Sequence, residues 1–221
     1  MKLAVLFSGG KDSVLSAWLA KKNGYELSCL VSVVSKNKES FMFHTPSISM
    51  VKVQAKVMDV PLILHETEGV KEKELIDLEN ALLKAKNEFG IEGVVSGAVE
   101  SVYQSSRVQK ICNRLGLECF NPLWQKNQME ILDDLIKENF NVIIVGVFAY
   151  PLDKSFLGRK IDKKFVIEVE KLLNKFKINP AGEGGEFESF VLDCPLFKSE
   201  LKVKSFEDFG EENSWRRELE I

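Results

Sequence analysis

A hexapeptide rich in serine and glycine near the start of the chain is the segment best suited to chemistry. It reads Ser-Gly-Gly-Lys-Asp-Ser over residues 8–13 and directly follows the apolar run 2–7. The two glycines allow a tight turn and carry no side chains, so backbone N–H groups can point at an anion. A helix that begins there adds its positive dipole end, and Ser8, Lys11 and Ser13 add donors. The segment therefore predicts a phosphate site at the end of a buried strand.

Asp12 is the residue of this segment that a phosphate would repel, unless a divalent cation lies between them. We therefore expect Asp12 to hold Mg²⁺ that is bound to phosphate. Lys11 is followed by Asp12 instead of the Ser or Thr of a Walker A loop, and the glycine spacing of the dinucleotide fingerprint is absent. The plain alternative is that the two glycines serve only a tight strand-to-helix turn.

The elements that must position this loop alternate between apolar runs and segments with helical periodicity. We predict strands over residues 2–7, 27–34, 61–65, 91–98 and 142–148, and helices over 12–23, 48–59, 71–89, 101–115, 129–139 and 163–176. Strands separated by helices favour a mostly parallel sheet covered on both faces, so the predicted class is α/β. Beyond Pro151 the pattern changes, and strands predicted over 187–192 and 201–203 indicate a smaller α+β domain. We expect one domain over 1–124 and a second over 125–221.

The composition limits the classes of protein that remain. The chain has 221 residues, of which 45% are hydrophobic and 29% charged, and this excludes disordered and fibrous classes. The balance of 30 Lys+Arg against 33 Asp+Glu argues against a nucleic-acid-coating protein. The four cysteines form no C-x-x-C pair and there are two histidines, so a zinc, redox or cluster site is not expected. With no secretory signal or membrane-spanning run, we expect a cytoplasmic protein without membrane contact; a homo-oligomer is left open.

Residues 8–13 resemble the PP-loop of the N-type ATP pyrophosphatases, in which Ser-Gly-Gly-x-Asp-Ser holds the pyrophosphate part of ATP. Further segments make the chain similar to one branch of that superfamily, the diphthine–ammonia ligases, in the short form typical of archaea. These segments are residues 41–46, 97–107, 112–117, 122–124, 157–159 and 182–189. The resemblance covers nearly the whole chain, and the combination is specific although each piece alone is not.

The resemblance implies a twisted parallel sheet of the adenine-nucleotide alpha-hydrolase-like, Rossmann-like type. It also implies an AMP-forming ligase that uses ATP and Mg²⁺ to adenylate the diphthine carboxylate of translation elongation factor 2. Ammonium then supplies the nitrogen of diphthamide, and AMP and pyrophosphate are released. Adenylation divides one difficult step into two easier ones, and donors fixed at the departing pyrophosphate favour the transition state.

Open α/β sheets bind ligands at the carboxyl ends of their strands, and we assign nucleotide contacts accordingly. The residues expected to bind ATP are Ser8, Gly9, Gly10, Lys11, Asp12, Ser13, Val33, Gly97, Ser101, Gln104 and Arg107. Catalytic roles are expected for Lys11, Asp12, Glu183 and Glu186, since some acceptor must take a proton from ammonium before it can attack. Substrate contacts are expected for His44, Tyr103, Trp124, Arg159 and Glu188.

Each assignment has a simpler alternative. Val33 also suits core packing, and residues 101–107 also suit a solvated helix face. The glutamates of residues 183–188 also suit an exposed acidic turn, and Arg159 a surface salt bridge. Trp124 is our first choice for an aromatic partner of the trimethylammonium group of diphthine, because indole is the best cation–π partner. Its alternative is to pack the two domains together.

Two other functions remain open at the level of the sequence. One is a PP-loop enzyme that modifies tRNA, against which the acidic net charge and the missing C-x-x-C pair count. The other is a non-catalytic ATP-binding sensor, which would bind ATP without releasing pyrophosphate.

Overall fold

The first part of the protein is built on a parallel sheet of five strands. The computed structural model describes residues 1–35, 50–68, 70 and 74–221. The strands are β1 (Lys2–Leu6), β2 (Glu26–Ser35), β3 (Leu62–Thr67), β4 (Gly93–Val95) and β5 (Glu118–Phe120). They are ordered β3-β2-β1-β4-β5, and every neighbouring pair is parallel. The predicted α/β class is confirmed.

Helices cover both faces of this sheet. They are α1 (Lys11–Lys22), α2 (Val51–Met58), α3 (Glu74–Phe89) and α4 (Val102–Leu115). Because side chains alternate along a strand, Leu3 and Val5 pack with α1 and α2, whereas Ala4 packs with α3 and α4. Within the described ranges, no helix has the length and apolar character that crossing a lipid bilayer requires.

The second part contains an antiparallel sheet of four strands. These are β6 (Asn141–Val147), β7 (Phe187–Asp193), β8 (Ser205–Glu211) and β9 (Ser214–Glu220), ordered β7-β6-β9-β8. Helices α5 (Gln128–Lys137) and α6 (Lys163–Phe176) accompany them, with a short 3-10 helix over Lys154–Phe156. The predicted change from an α/β to an α+β arrangement is therefore present.

The strand predicted over residues 201–203 is wrong. Leu201 lies in an irregular segment, where its N–H donates to Leu192 O at 2.8 Å and its side chain fills the core beside Phe190. The hairpin of β8 and β9 follows instead. It escaped prediction because its strands are largely exposed and carry charges at most positions, so they show no clear alternation of apolar residues.

One hydrophobic core joins the two sheets. Val5 and Leu15 of the first part lie in the same buried cluster as Ile144, Phe187 and Val191 of the second. The predicted domain boundary at residue 124 stays a prediction. Residues 8–13, named here the glycine loop, connect β1 to α1. They lie between the two sheets, because they also contact strand β7 of the second sheet.

The glycine loop is hydrogen-bonded to strand β7. Val191 N–H donates to Gly9 O at 3.1 Å, and Lys11 N–H donates to Ser189 Oγ at 3.1 Å. Gln54 of α2 is fully buried, and its Nε2 donates to Gly9 O at 3.0 Å and to Val191 O at 2.8 Å. Gly9 has a φ of +79°, and a Cβ there would lie 2.2 Å from Gln54 Oε1. Only glycine satisfies both constraints.

We expect Gln54→Leu to lower the free energy of unfolding by about 2 kcal/mol, because it removes the two buried hydrogen bonds that the side-chain amide donates to Gly9 O and Val191 O. Chemical denaturation measures the change. The matched control is Gln109→Leu on the exposed face of α4, for which a change of less than about 0.5 kcal/mol is expected. Equal effects of the two substitutions would contradict the role assigned to Gln54.

Candidate functional site

A cleft of about 500 Å³ opens where the strands of the parallel sheet end. Its walls are the glycine loop, the segments that follow β4, and residues 182–189, named here the acidic turn. Many of the residues singled out in the sequence meet there. Those that line the cleft are Ser8, Gly10, Lys11, Asp12, Ser13, Val33, Gly97, Ser101, Gln104, Glu183 and Glu188.

The glycine loop is held in one shape by its own hydroxyls. Ser13 Oγ donates to Gly10 O at 3.0 Å and lies 3.2 Å from Ser8 Oγ. The N-cap residue of α1, Gly10, has no side chain to cap the helix, and of the first-turn N–H groups that of Lys11 is bound by Ser189 Oγ. Gly97 packs against this turn, since a Cβ there would lie 2.9 Å from Ser13 N. The start of α1 therefore faces the cleft without side chains in the way, as anion binding requires.

Lys11 and Asp12 form a close ion pair at the floor of the cleft. Lys11 is 3% exposed, and its Nζ donates to Asp12 Oδ2 at 2.7 Å. The other carboxylate oxygen, Asp12 Oδ1, is buried without a hydrogen-bond partner. Magnesium is commonly held by one or two carboxylates together with substrate phosphates. The free oxygen of Asp12 fits that kind of ion.

The three glutamates of the acidic turn have different surroundings. Glu186 Oε1 accepts from the N–H and the side-chain amide of Asn179 at 2.8 and 2.7 Å, and its Oε2 accepts from Gly184 N–H at 2.9 Å. Both oxygens are engaged, and Glu186 lies outside the cleft lining. The carboxylate of Glu186 therefore holds the turn in shape, and its predicted catalytic role stays a prediction.

Glu183 faces the glycine loop across the cleft. Burial, together with the nearby charge of Asp12, raises the pKa of its carboxyl group to about 7, and the positive charge of Lys11 opposes the rise. A group with a pKa near neutral pH can both accept and release a proton under working conditions. Glu183 is thus the glutamate best placed for proton transfer beside the loop.

Glu188 is the third acidic residue, and it also lines the cleft. Burial raises the pKa of its carboxyl group to about 8, and the positive charge of Arg216 opposes the rise. Its Oε2 is buried without a hydrogen-bond partner. Burying a carboxyl group with one oxygen unpartnered costs stability. Such a cost is usual for a residue that binds a ligand and unusual for a structural one.

Several predicted residues do not line the cleft in the described part of the chain. Gly9 lies behind it and contributes its carbonyl to the contacts with β7. The guanidinium of Arg107 lies 3.4 Å from the ring centroid of Tyr103, on the outer side of α4. Arg159 pairs with Glu168 at 2.6 Å, as in its salt-bridge alternative.

Trp124 is half-buried in the turn after β5 and is not part of the cleft lining. His44, together with its aromatic neighbours at 41 and 43, lies outside the described residues. The substrate-binding roles expected for Trp124 and His44 therefore stay predictions.

The sequence interpretation missed two residues that shape the site, Gln54 and Ser189. Gln54 occupies the buried face of α2 between Val51 and Ala55. Its signal in the sequence is a single amide side chain on the apolar face of a predicted helix. Ser189 stood in a segment that was singled out, but its role depends on a backbone contact with Lys11 that no local pattern indicates.

We expect Glu188→Gln to change how stability depends on pH. The wild-type pKa is raised from 4.5 to about 8, so the folded state binds the proton more tightly and stability falls as pH rises through that range. Glutamine does not titrate. The unfolding free energy of the variant relative to wild type should therefore increase between about pH 5 and about pH 8.5 in denaturant titrations.

The matched control for this measurement is Glu211→Gln, which changes an exposed carboxylate of β8. The difference in unfolding free energy between this variant and wild type should be the same at both pH values. A Glu188→Gln difference that is equally flat would contradict the burial and raised pKa of Glu188.

Comparisons with known proteins agree with this geometry. A family model described as diphthamide synthase N-terminal domain matches residues 1–119, and one described as diphthamide synthase C-terminal domain matches residues 127–219. The chain is 33% identical to the diphthine–ammonia ligase of Bos taurus and 34% identical to that of Mus musculus; in each case the match covers 94% of this chain and 84% of the relative.

A solved structure with a similar chain path is the predicted subunit of tRNA methyltransferase from Methanocaldococcus jannaschii. It is 20% identical, the match covers 88% of this chain and 98% of that one, and the TM-score is 0.44, so no functional argument rests on it. The family models and the curated relatives, by contrast, extend over nearly the whole chain. The chain therefore belongs to the diphthamide synthase family, whose curated members are named diphthine–ammonia ligase.

Proposed function

We propose that this chain is an AMP-forming ligase that adenylates the diphthine carboxylate of translation elongation factor 2 with ATP and amidates it with ammonia. The observation that carries the proposal is that the glycine loop and two acidic residues with raised pKa values, Glu183 and Glu188, share one cleft in a chain of this family. With that substrate, we expect the chain to act in the cytoplasm.

The glycine loop suits the pyrophosphate part of ATP. Its hydroxyls, the start of α1 and the buried ammonium of Lys11 supply donors and positive charge where negative charge grows as pyrophosphate departs. The loop is fixed by β7 before any ligand arrives, so little reorganisation accompanies binding. Ser8, Gly10, Lys11 and Ser13 are the residues we assign to these phosphates.

The apolar wall of the cleft suits the adenine ring. This wall consists of Val33 of β2, Leu78 of α3 and Val108 of α4. Gly97, which packs against Ser13 of the glycine loop, lines the same cleft with Ser101 and Gln104, and we assign these three residues to the ribose and the α-phosphate. This placement follows the rule that open α/β sheets bind ligands beyond the carboxyl ends of their strands.

Asp12 is the residue that we expect to hold Mg²⁺, through its unpartnered Oδ1. When bound, the ion neutralises phosphate charge and supports departure of pyrophosphate. Lys11, which pairs with the other oxygen of Asp12, keeps that carboxylate oriented towards the loop.

The amidation step needs a base, because ammonium has no lone pair with which to attack. In the first step a carboxylate oxygen of diphthine bonds to the α-phosphorus of ATP and pyrophosphate leaves. Glu183 then takes a proton from ammonium. The ammonia bonds to the acyl carbon and loses a second proton to the phosphate of AMP, which departs with the former carboxylate oxygen. The raised pKa of Glu183, about 7, suits an acceptor that must later release the proton.

The test is incubation with diphthine-bearing elongation factor 2, ATP, Mg²⁺ and ammonium. We expect amide, AMP and pyrophosphate in equal amounts. Asp12→Asn, which keeps an oxygen for Lys11, should reduce pyrophosphate release by about 100-fold or more, because it removes the metal-binding charge. The melting temperature of this variant should stay close to that of wild type.

Asp133→Asn, on the exposed face of α5, is the matched control and should retain full activity. ADP with orthophosphate as primary products would refute the proposal. A wild-type protein that binds ATP but releases no pyrophosphate with any form of the factor would identify the non-catalytic sensor instead. Pyrophosphate release that requires tRNA would identify the tRNA-modifying alternative.

A further inference from the structure

Two oppositely charged side chains flank one glycine in the antiparallel sheet. Glu188 of β7 pairs with Gly146 of β6 from one side, and Arg216 of β9 pairs with the same glycine from the other. Residues that are directly opposite in neighbouring strands project from the same face of a sheet. The carboxylate and the guanidinium therefore stand on one face, with no side chain at the position between them.

Neither charge is satisfied by a partner in the described part of the chain. Glu188 Oε2 and Arg216 Nε are both buried without a hydrogen bond. The two groups form no ion pair with each other, although Arg216 is near enough to lower the pKa of Glu188. The guanidinium lies 5.4 Å from the ring centroid of Phe148. Buried polar atoms are normally hydrogen-bonded, so an unpartnered carboxyl oxygen and an unpartnered guanidinium N–H on one face point to a ligand that carries both signs.

We propose that Glu188 and Arg216 form a subsite for a zwitterionic group, in which Glu188 attracts the cationic end and Arg216 binds the anionic end. Glu188 lines the cleft of the glycine loop and Arg216 stands across Gly146 from it, so a small zwitterion held between them lies at the edge of that cleft. If the proposed function holds, this group is the trimethylammonium carboxylate of diphthine. A quaternary ammonium donates no N–H bond, and a nearby carboxylate with apolar surroundings suits it, whereas a guanidinium suits a carboxylate.

A simpler explanation is that Glu188 and Arg216 pair only with each other in solution. A double-mutant cycle separates the two explanations. If each residue contacts a different end of the ligand, the effects of Glu188→Gln and Arg216→Met add in the double variant. If the two residues interact only with each other, the second substitution has no further effect on binding once the first is made.

The kinetic test measures amidation of diphthine-bearing factor by wild type, both single variants and the double variant. We expect each single substitution to raise the KM for the modified factor about tenfold, as loss of a charged contact does, and the double variant to raise it about 100-fold. The KM for ATP should change less than about twofold. Glu211→Gln on the neighbouring strand is the control and should leave both constants unchanged. An unchanged KM for the factor in both single variants, or a double variant no worse than either, overturns the proposal.

A binding test examines the subsite separately from the reaction. Saturation-transfer NMR with glycine betaine, which carries both charges, should show binding to wild type that choline and acetate alone do not match. Both single variants should lose this preference. If wild type forms no amide, the proposed function fails while betaine binding still decides the subsite. If wild type shows no preference for betaine, the subsite is overturned even when the enzyme is active.

Folding of the variants is checked by their melting temperatures. Arg216→Met keeps the length of the side chain beside Phe148, so the contact with the ring is retained. If it nevertheless unfolds, Arg216→Lys takes its place, because a lysine keeps the charge but loses the two-pronged donor geometry. It should then weaken betaine binding about tenfold; wild-type affinity in that variant overturns the assignment to Arg216.

Discussion

The contact between the glycine loop and strand β7 is the interaction on which the rest of the site depends. The N–H of Lys11 reaches Ser189, the N–H of Val191 reaches Gly9, and Gln54 bridges both backbones. Residues 178 positions apart in the chain are thereby held within hydrogen-bond distance. Because the acidic turn leads directly into β7, the same contact carries Glu183 and Glu188 to the cleft. The proposed phosphate site on one sheet and the proposed substrate site on the other thereby share one cleft.

The cleft gathers carboxylates in half-buried positions, which costs stability. The pKa of Glu183 is raised to about 7 and that of Glu188 to about 8, chiefly by burial, and Asp12 keeps an oxygen without a partner. Lys11 balances only part of this charge. Local arrangements that a fold would not keep for stability alone are expected at functional sites. Cationic ligands such as Mg²⁺, ammonium and a quaternary ammonium would offset the remaining negative charge of the cleft.

The sequence predicts what is encoded locally and misses what depends on register between distant segments. The glycine loop and the strand–helix alternation are local, and the parallel sheet follows from them. The hairpin of β8 and β9 has no apolar alternation, so its position beside β6, and with it the placement of Arg216 opposite Gly146, could not be anticipated. Gln54 acts on backbone carbonyls far away in the chain, and Glu186 on N–H groups two and seven residues away; residue type shows neither contact. The three glutamates looked alike in the sequence, and only their hydrogen bonds and burial separate them.

The most direct measurement of the central claim follows the carboxylate oxygen. Diphthine-bearing factor with ¹⁸O in its carboxylate is converted to the amide in a single turnover, and the nucleotide and phosphate products are analysed by mass spectrometry. If the loop directs attack on the α-phosphorus, one labelled oxygen appears in AMP and none in pyrophosphate. Label in orthophosphate, or unlabelled AMP beside labelled water, would contradict the account.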